Sequence, residues 1–244
     1  VDKPQATLQN WPRPCSLGGM ATRIKSALII GASGGIGTAA AELCVARGFL
    51  VQTLSRRDDG LDITEETSIQ ASAASIKGGL DLIIIATGVL ETAGFRPERT
   101  ITTVTKGSLE TLFMANAVGP ALLLKHFTPK LTKTRRAVII VLSARVGSIA
   151  DNQVGGWMSF RASKAALNQI VRTTALELER KNPHAICIAY HPGNVETELS
   201  KKFLKSRASV APSDAAQDLM SVYDTLNPRD TGQFFDWAGK RINW

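Results

Sequence analysis

The chain has 244 residues, 44% of them hydrophobic, enough for one doubly wound core of the usual ~200 to 250 residues, so no second domain is required. Apolar stretches such as Ala137 to Leu142 fall far short of the ~20 residues that cross a bilayer, which speaks against a membrane partner. The net charge of +8 raises nucleic acid as a partner, but the basic clusters Lys130, Lys133, Arg135, Arg136 and Lys201, Lys202, Lys205, Arg207 carry no interleaved stacking aromatics and read as solvated surface.

Residues 1–22 contain prolines, show no periodicity and lack an apolar signal core; they read as a disordered or foreign extension, which leaves 23–244 as one domain. Ala27 to Ile30 predicts a first strand, followed by the turn GASGGIG from Gly31 to Gly37 and a helix from Ile36 to Arg47 that stops at Gly48. Strands Leu50 to Leu54 and Leu80 to Ile85 come next, then a long helix from Ser108 to Leu131. Strand Ala137 to Leu142, helix Trp157 to Lys181, strand Ala185 to Tyr190, helix Asp214 to Leu226 with Ser213 as its cap, and strand Gln233 to Trp237 complete the order. The strands are mostly continuous apolar runs, the pattern of strands buried on both faces. Repeated βα units then predict an α/β fold: a single Rossmann-type doubly wound parallel sheet with helices on both faces. Three cysteines, Cys15, Cys44 and Cys187, are odd in number and have no metal-ligand spacing. They point to no metal site and to a reducing compartment, the cytoplasm.

The glycine turn carries the first chemical signal. A strand that delivers the chain to glycines and then to a helix N-terminus lets backbone N–H groups meet the pyrophosphate of a dinucleotide. The alternative is that the glycines serve only the turn's positive φ. At the end of the second strand stands Ser55 Arg56 Arg57. An NAD site places an acid there, whereas a 2′-phosphate needs a cation, so Arg56 points to NADP(H); alternatively Arg56 and Arg57 pair with Asp58 and Asp59 on the surface. Further on, Asn116, Ser143 and Lys164 form a second group. Phe160 and Lys164 are four apart and share a helix face, while Ser143 follows a buried strand where open α/β sheets bind ligands, or simply closes a turn there. Pro120 cannot donate to the Asn116 carbonyl, so a kink should free that oxygen to hold a water, unless the kink is merely structural.

These residues resemble the short-chain dehydrogenase/reductase family across essentially all of Ala27 to Trp244. The turn matches the family's glycine motif at Gly31, Ser33, Gly34, Gly35, Ile36 and Gly37; Asp62 matches its adenine-edge residue, and Ala86 Thr87 Gly88 stands in place of Asn-Ala-Gly. Asn116, Ser143 and Lys164 match three of four catalytic positions. His191 to Thr197 resembles the loop that receives the nicotinamide, with Pro192, Gly193, Val195 and Thr197 at its cofactor positions, and 196–210 reads as a mobile lid. The ending Gly232 to Trp237, with Trp244, is most similar to small C-factor-type members. The fourth catalytic position departs: Tyr-x-x-x-Lys reads Phe160-Arg-Ala-Ser-Lys164.

The resemblance implies hydride transfer between NADP(H) and a small carbonyl or alcohol substrate, with Lys164 on the cofactor ribose, Ser143 orienting the substrate oxygen and the Asn116 water linked to the lysine. It also implies a homodimer or homotetramer paired through the two long helices. Phe160 cannot donate a proton, so activity should be attenuated; the alternative is a catalytically silent NADP-binding sensor or regulatory protein. His191 reads as a packed residue more readily than as an acid.

Overall fold

The computed structural model describes residues 23–91, 94–204 and 208–244. The expected extension at 1–22, including Cys15, lies outside them. In chain order the elements are β1 (Ser26–Ile30), α1 (Gly35–Ala46), β2 (Leu50–Leu54), α2 (Arg56–Asp59), α3 (Glu66–Ser75), β3 (Leu82–Ile85), α4 (Lys106–Phe113), a π-helical turn (Met114–Val118) and α5 (Gly119–Phe127). They continue with β4 (Ala137–Leu142), α6 (Met158–Lys181), β5 (Ala185–His191), α7 (Lys201–Leu204), α8 (Pro212–Thr225) and β6 (Phe234–Asp236).

The six strands are parallel and lie in the order β2-β1-β3-β4-β5-β6. The chain leaves β1 in one direction and returns to its other side with β3, so a crevice opens at the carboxyl ends of these two strands. Alternation along the strands sorts the core into two layers. Leu28, Ile83, Ile139 and Val141 meet Leu123, Phe127, Leu167 and Val171 on one face. Ile29, Ile84, Ile140 and Ile188 meet Ala40, Cys44, Leu219 and Met220 on the other. All residues of β3 and β4 are buried, as their unbroken apolar runs require.

Several boundaries differ from the sequence reading, each for a local reason. β3 begins at Leu82, because Leu80 makes only an isolated bridge with Leu131. The long helix expected from Ser108 is broken into α4, the π-helical turn and α5, with Pro120 in the first turn of α5. Proline lacks the N–H that would continue the ladder, and the break takes the form of one wider turn. Ser213 is not the cap of α8: Ala211 holds that position and Pro212 opens the helix with its φ already set. Trp157 precedes α6 rather than starting it, and β6 is confined to Phe234–Asp236.

The segment Lys106–Lys130 is, by length and composition, long and apolar enough to cross a membrane, with a hydropathy of 1.2. Counting only unbroken apolar runs missed it. Half of it is buried in this fold, where Leu123, Leu124 and Phe127 serve the core. The basic cluster before β4 is only partly solvated: Arg135 Nε donates to Asp81 at 2.6 Å, and the Arg136 guanidinium stacks 4.5 Å from the Tyr223 ring centroid.

Candidate cofactor and active site

The glycine turn sits at the carboxyl end of β1. Gly31 has φ +90°, and a Cβ there would lie 2.7 Å from the Ala86 carbonyl oxygen; a Cβ on Gly37 would lie 2.2 Å from the Gly31 carbonyl oxygen. Only glycine permits the turn to close this tightly against β3 and α1. Gly34 supplies no side-chain cap to α1, so the first-turn N–H groups suit an anion. Ser33 and Ile36 flank this turn, both partly buried. The 191–197 loop reaches the same place, since a Cβ on Gly35 would lie 2.9 Å from Thr197 Cγ2. Val195 anchors that loop by a bridge to Val210, and Gly193, after Pro192, lies against Trp237. Thr87 Oγ1, in the Ala86 Thr87 Gly88 segment, is buried without a hydrogen-bond partner among the described residues. A cradle that accepts no Cβ, an uncapped helix start and an orphaned buried hydroxyl together fit a dinucleotide.

At the end of β2, Ser55 is committed to capping α2: its Oγ accepts from Asp58 N at 3.0 Å, and its own N–H donates to Asp59 Oδ2 at 2.8 Å. Arg57 pairs with Asp58 at 3.2 Å. Arg56 stands exposed at the start of α2, where its charge helps to lower the Asp62 pKa. The Asp62 carboxylate accepts from Thr64 N at 2.9 Å and Thr64 Oγ1 at 2.7 Å, and these bonds hold it below its ordinary pKa.

Lys164 is buried beside the carboxyl ends of β3 and β4. Its Nζ donates to the Leu142 carbonyl at 3.1 Å and lies 5.9 Å from the Phe160 ring centroid. Burial pushes its pKa down from 10.5 to about 8. A Cβ on Gly88 would sit 3.4 Å from Lys164 Nζ and 3.5 Å from Asn116 Oδ1, so these three positions converge. Asn116 itself is fully buried on the π-helical turn and clamps the chain after β3: Oδ1 accepts from Val89 N at 2.8 Å, while Nδ2 donates to Val89 O at 2.8 Å and Ser163 Oγ at 3.2 Å.

Ser143 stands elsewhere. Its hydroxyl donates to Asn168 Oδ1 at 2.6 Å, and Asn168 is eight residues along α6 from Phe160, about 12 Å of helix. The next residue, Ala144, instead packs against the apolar group of Leu90, Leu112 and Phe160, together with Val146, Trp157 and Phe203. His191 is packed: desolvation, then the nearby Arg145 charge, lower its pKa to about 4, which leaves it neutral and no proton donor. Tyr190 is fully buried in the layer below, and Tyr223 lies in α8, so neither phenol replaces the missing one. Sequence reasoning overlooked Glu98, whose carboxylate accepts from Ser108 Oγ at 3.1 Å and from Ser159 N at 3.3 Å at the start of α6. Nothing in the loop pattern marks it. Asn168, four residues beyond Lys164 on one face, was findable by spacing.

A parallel sheet with a glycine turn at its reversal point and a buried lysine beside that crevice is a doubly wound α/β architecture with its site at the carboxyl ends of the strands. The short chain dehydrogenase family model matches residues 25–208, and the chain belongs to that family. It is 32% identical to C-signal of Myxococcus xanthus over 132 residues, 54% of this chain and 76% of that protein. It is 29% identical to 1-hydroxy-2-glutathionyl-2-methyl-3-butene dehydrogenase of a Rhodococcus species over 192 residues, 77% of this chain and 80% of the other. The NADPH-bound carbonyl reductase from chicken fatty liver superposes with a TM-score of 0.79 at 26% identity, covering 91% of this chain and all (100%) of that one.

Proposed function

We propose that this protein binds NADP(H) and acts as a reductase-type oxidoreductase on a small carbonyl or alcohol compound, at a rate limited by Phe160. The observation that carries this reading is Lys164, an ammonium held in the crevice beside Gly88 and Asn116, where its Nζ donates to the Leu142 carbonyl. A lysine kept there at the cost of desolvation is suited to ribose hydroxyls. Arg56, exposed at the carboxyl end of β2, would meet the 2′-phosphate, and the turn from Gly31 to Gly37 the pyrophosphate. When bound, NADPH supplies the hydride. The chain's own part is to orient the substrate, exclude water with the apolar group around Phe160, and deliver a proton without a phenol, through water near Lys164. The carbonyl reductase named above, which carries NADPH, supports the cofactor assignment by analogy.

A second reading is favoured by one observation: Ser143 is turned to Asn168 and Ala144 packs in the apolar group of Phe160, so neither hydroxyl expected of a reducing site faces a substrate. On that reading the protein binds NADP(H) without turnover. Exposed Met114, Val118 and Leu176 on the long helices support pairing of two copies. Calorimetric titration decides the cofactor: NADPH should bind more tightly than NADH, and Arg56→Ala should abolish the difference. Equal affinities in the unmodified chain would remove the NADP assignment.

A further inference from the structure

We infer that Trp157 is a specificity-determining residue and that the compound it selects is an uncharged carbonyl bearing an aryl or extended alkyl group; this rests on the reading of the crevice as a carbonyl site. Among the described residues Trp157 is the non-glycine residue with positive φ, at 53°. A bulky side chain in the left-handed region is strained and persists only where neighbours hold it. Here they do. The Trp157 N–H donates to the Glu98 carbonyl at 2.6 Å. The Arg161 fork donates to the Gly156 carbonyl at 2.9 Å and the Gly155 carbonyl at 3.2 Å. The Glu98 carboxylate takes Ser159 N at 3.3 Å together with the Ser159 hydroxyl.

The result of this restraint is the position of one ring. The indole meets Phe160 edge-on at 6.2 Å and Phe203 edge-on at 5.5 Å. Phe203 belongs to α7, which follows the 191–197 loop, and the ion pair between Lys202 and Glu91 fastens the same helix to the chain after β3. Trp157 therefore joins α7 to Phe160, whose ring lies beside Lys164. The indole is only partly buried, so it presents a face as well as filling a core. Around it stand Leu90, Leu112 and Ala144, none with a side-chain donor or acceptor. Away from the Lys164 ammonium and the indole N–H, a hydroxyl group would lose water here without a hydrogen bond in return, whereas an aryl or alkyl group gains ring and aliphatic contacts.

The test uses the full chain with and without NADPH, and three probes: acetophenone, dihydroxyacetone and pyruvate. Ligand-observed NMR titration should show acetophenone binding at least tenfold more tightly than the other two. Trp157→Gly, which removes the ring and relieves the backbone strain, should weaken acetophenone about tenfold and leave NADPH affinity unchanged. Phe203→Ala should weaken it in the same direction, and Trp157→Phe, which keeps a ring, should retain most of the affinity. Preference for dihydroxyacetone or pyruvate overturns the inference, as does a folded Trp157→Gly that holds acetophenone as tightly as the parent. Loss of NADPH binding in the unmodified chain would instead count against the cofactor reading, with the probe ranking still decided in its absence.

Discussion

Restoring one oxygen at position 160 should raise turnover of a reducible carbonyl by about 10² or more, the lower part of the ~10² to 10⁴ range of a positioned general acid. This corresponds to at least about 2.7 kcal/mol of barrier. In Phe160→Tyr the new hydroxyl would be added to a ring whose centroid lies 5.9 Å from the Lys164 ammonium. Two influences compete on it: the apolar surroundings raise a phenol's pKa, and the ammonium lowers it. The geometry makes a second requirement. The substrate oxygen needs a further donor, and Ala144 rather than Ser143 belongs to the apolar group that holds Phe160. Ala144→Ser combined with Phe160→Tyr should therefore exceed Phe160→Tyr alone, by up to the ~10² to 10³ that one preorganised donor contributes. Ser143→Ala in the Phe160→Tyr background should leave kcat nearly unchanged and cost about 1–3 kcal/mol of stability, because the Asn168 acceptor loses its buried donor. The assay is NADPH oxidation with a panel of aldehydes and ketones, alongside thermal unfolding of each variant. If Ser143→Ala abolishes the restored turnover at unchanged stability, Ser143 orients the substrate and the placement argued from Asn168 is wrong. If Phe160→Tyr and the double variant bind NADPH yet reduce nothing, the protein is a binder without turnover.

Gly37→Ala should lower both Tm and NADPH affinity, since its Cβ would lie 2.2 Å from the Gly31 carbonyl oxygen and force the turn open; unchanged calorimetric affinity in a folded variant would show that the turn's shape does not serve the cofactor. Asp81 takes Arg135 Nε at 2.6 Å and Ser26 N at 2.8 Å, so Asp81→Asn should cost about 1–3 kcal/mol and about 2–4 °C of Tm per kcal/mol. Burial raises the Asp81 pKa, but the bonds from Arg135, Ser26 and Arg23 outweigh it and hold the group below 3.8. Its contribution is thus present above the unfolded value and lost as pH falls through the folded one. Acid titration of unfolding should show a shallower low-pH loss in Asp81→Asn, and identical slopes would refute the assignment.

The βα order, the parallel sheet and the glycine turn were legible because they rest on local signals: unbroken apolar runs and a strand-to-helix turn that only glycine can make. That Phe160 and Lys164 share one helix face was legible through their spacing, whereas Asn116, on another helix, was joined to them only by the family resemblance. What escaped depended on direction rather than on identity. Adjacent residues at the end of a strand face opposite ways, so the sequence shows a serine at 143 without showing that its hydroxyl meets Asn168 and that Ala144 joins the apolar group of Phe160. Asn116 was read for its backbone carbonyl, yet its amide is what ties Val89 to Ser163. The left-handed backbone of Trp157 has no sequence signature, because it is imposed by Glu98 from a distant loop.

Lys164 offers a test of the crevice that requires no turnover. Its pKa is about 8 in the fold against 10.5 ordinarily, because burial disfavours the charged form. Between these values the unfolded chain binds more protons than the folded one, so stability rises with pH from about 8 to 10.5. Below pH 8 the ammonium is charged in both states and the full penalty stands, about 3 kcal/mol at 1.36 kcal/mol per pH unit. Lys164→Met should therefore be more stable than the parent at pH 7, with the advantage shrinking as pH rises through this window. A ligand whose ribose hydroxyls and phosphates accept from the ammonium favours the charged form and raises the pKa again. NADPH binding near pH 8 to 9 should then take up a fraction of a proton. Calorimetry in two buffers of different ionisation enthalpy measures that uptake directly. Uptake present in the parent and absent in Lys164→Met would place the cofactor on this lysine. Equal proton exchange in both, with equal NADPH affinity, would mean that Lys164 does not touch the cofactor, and the proposed site would have to be moved.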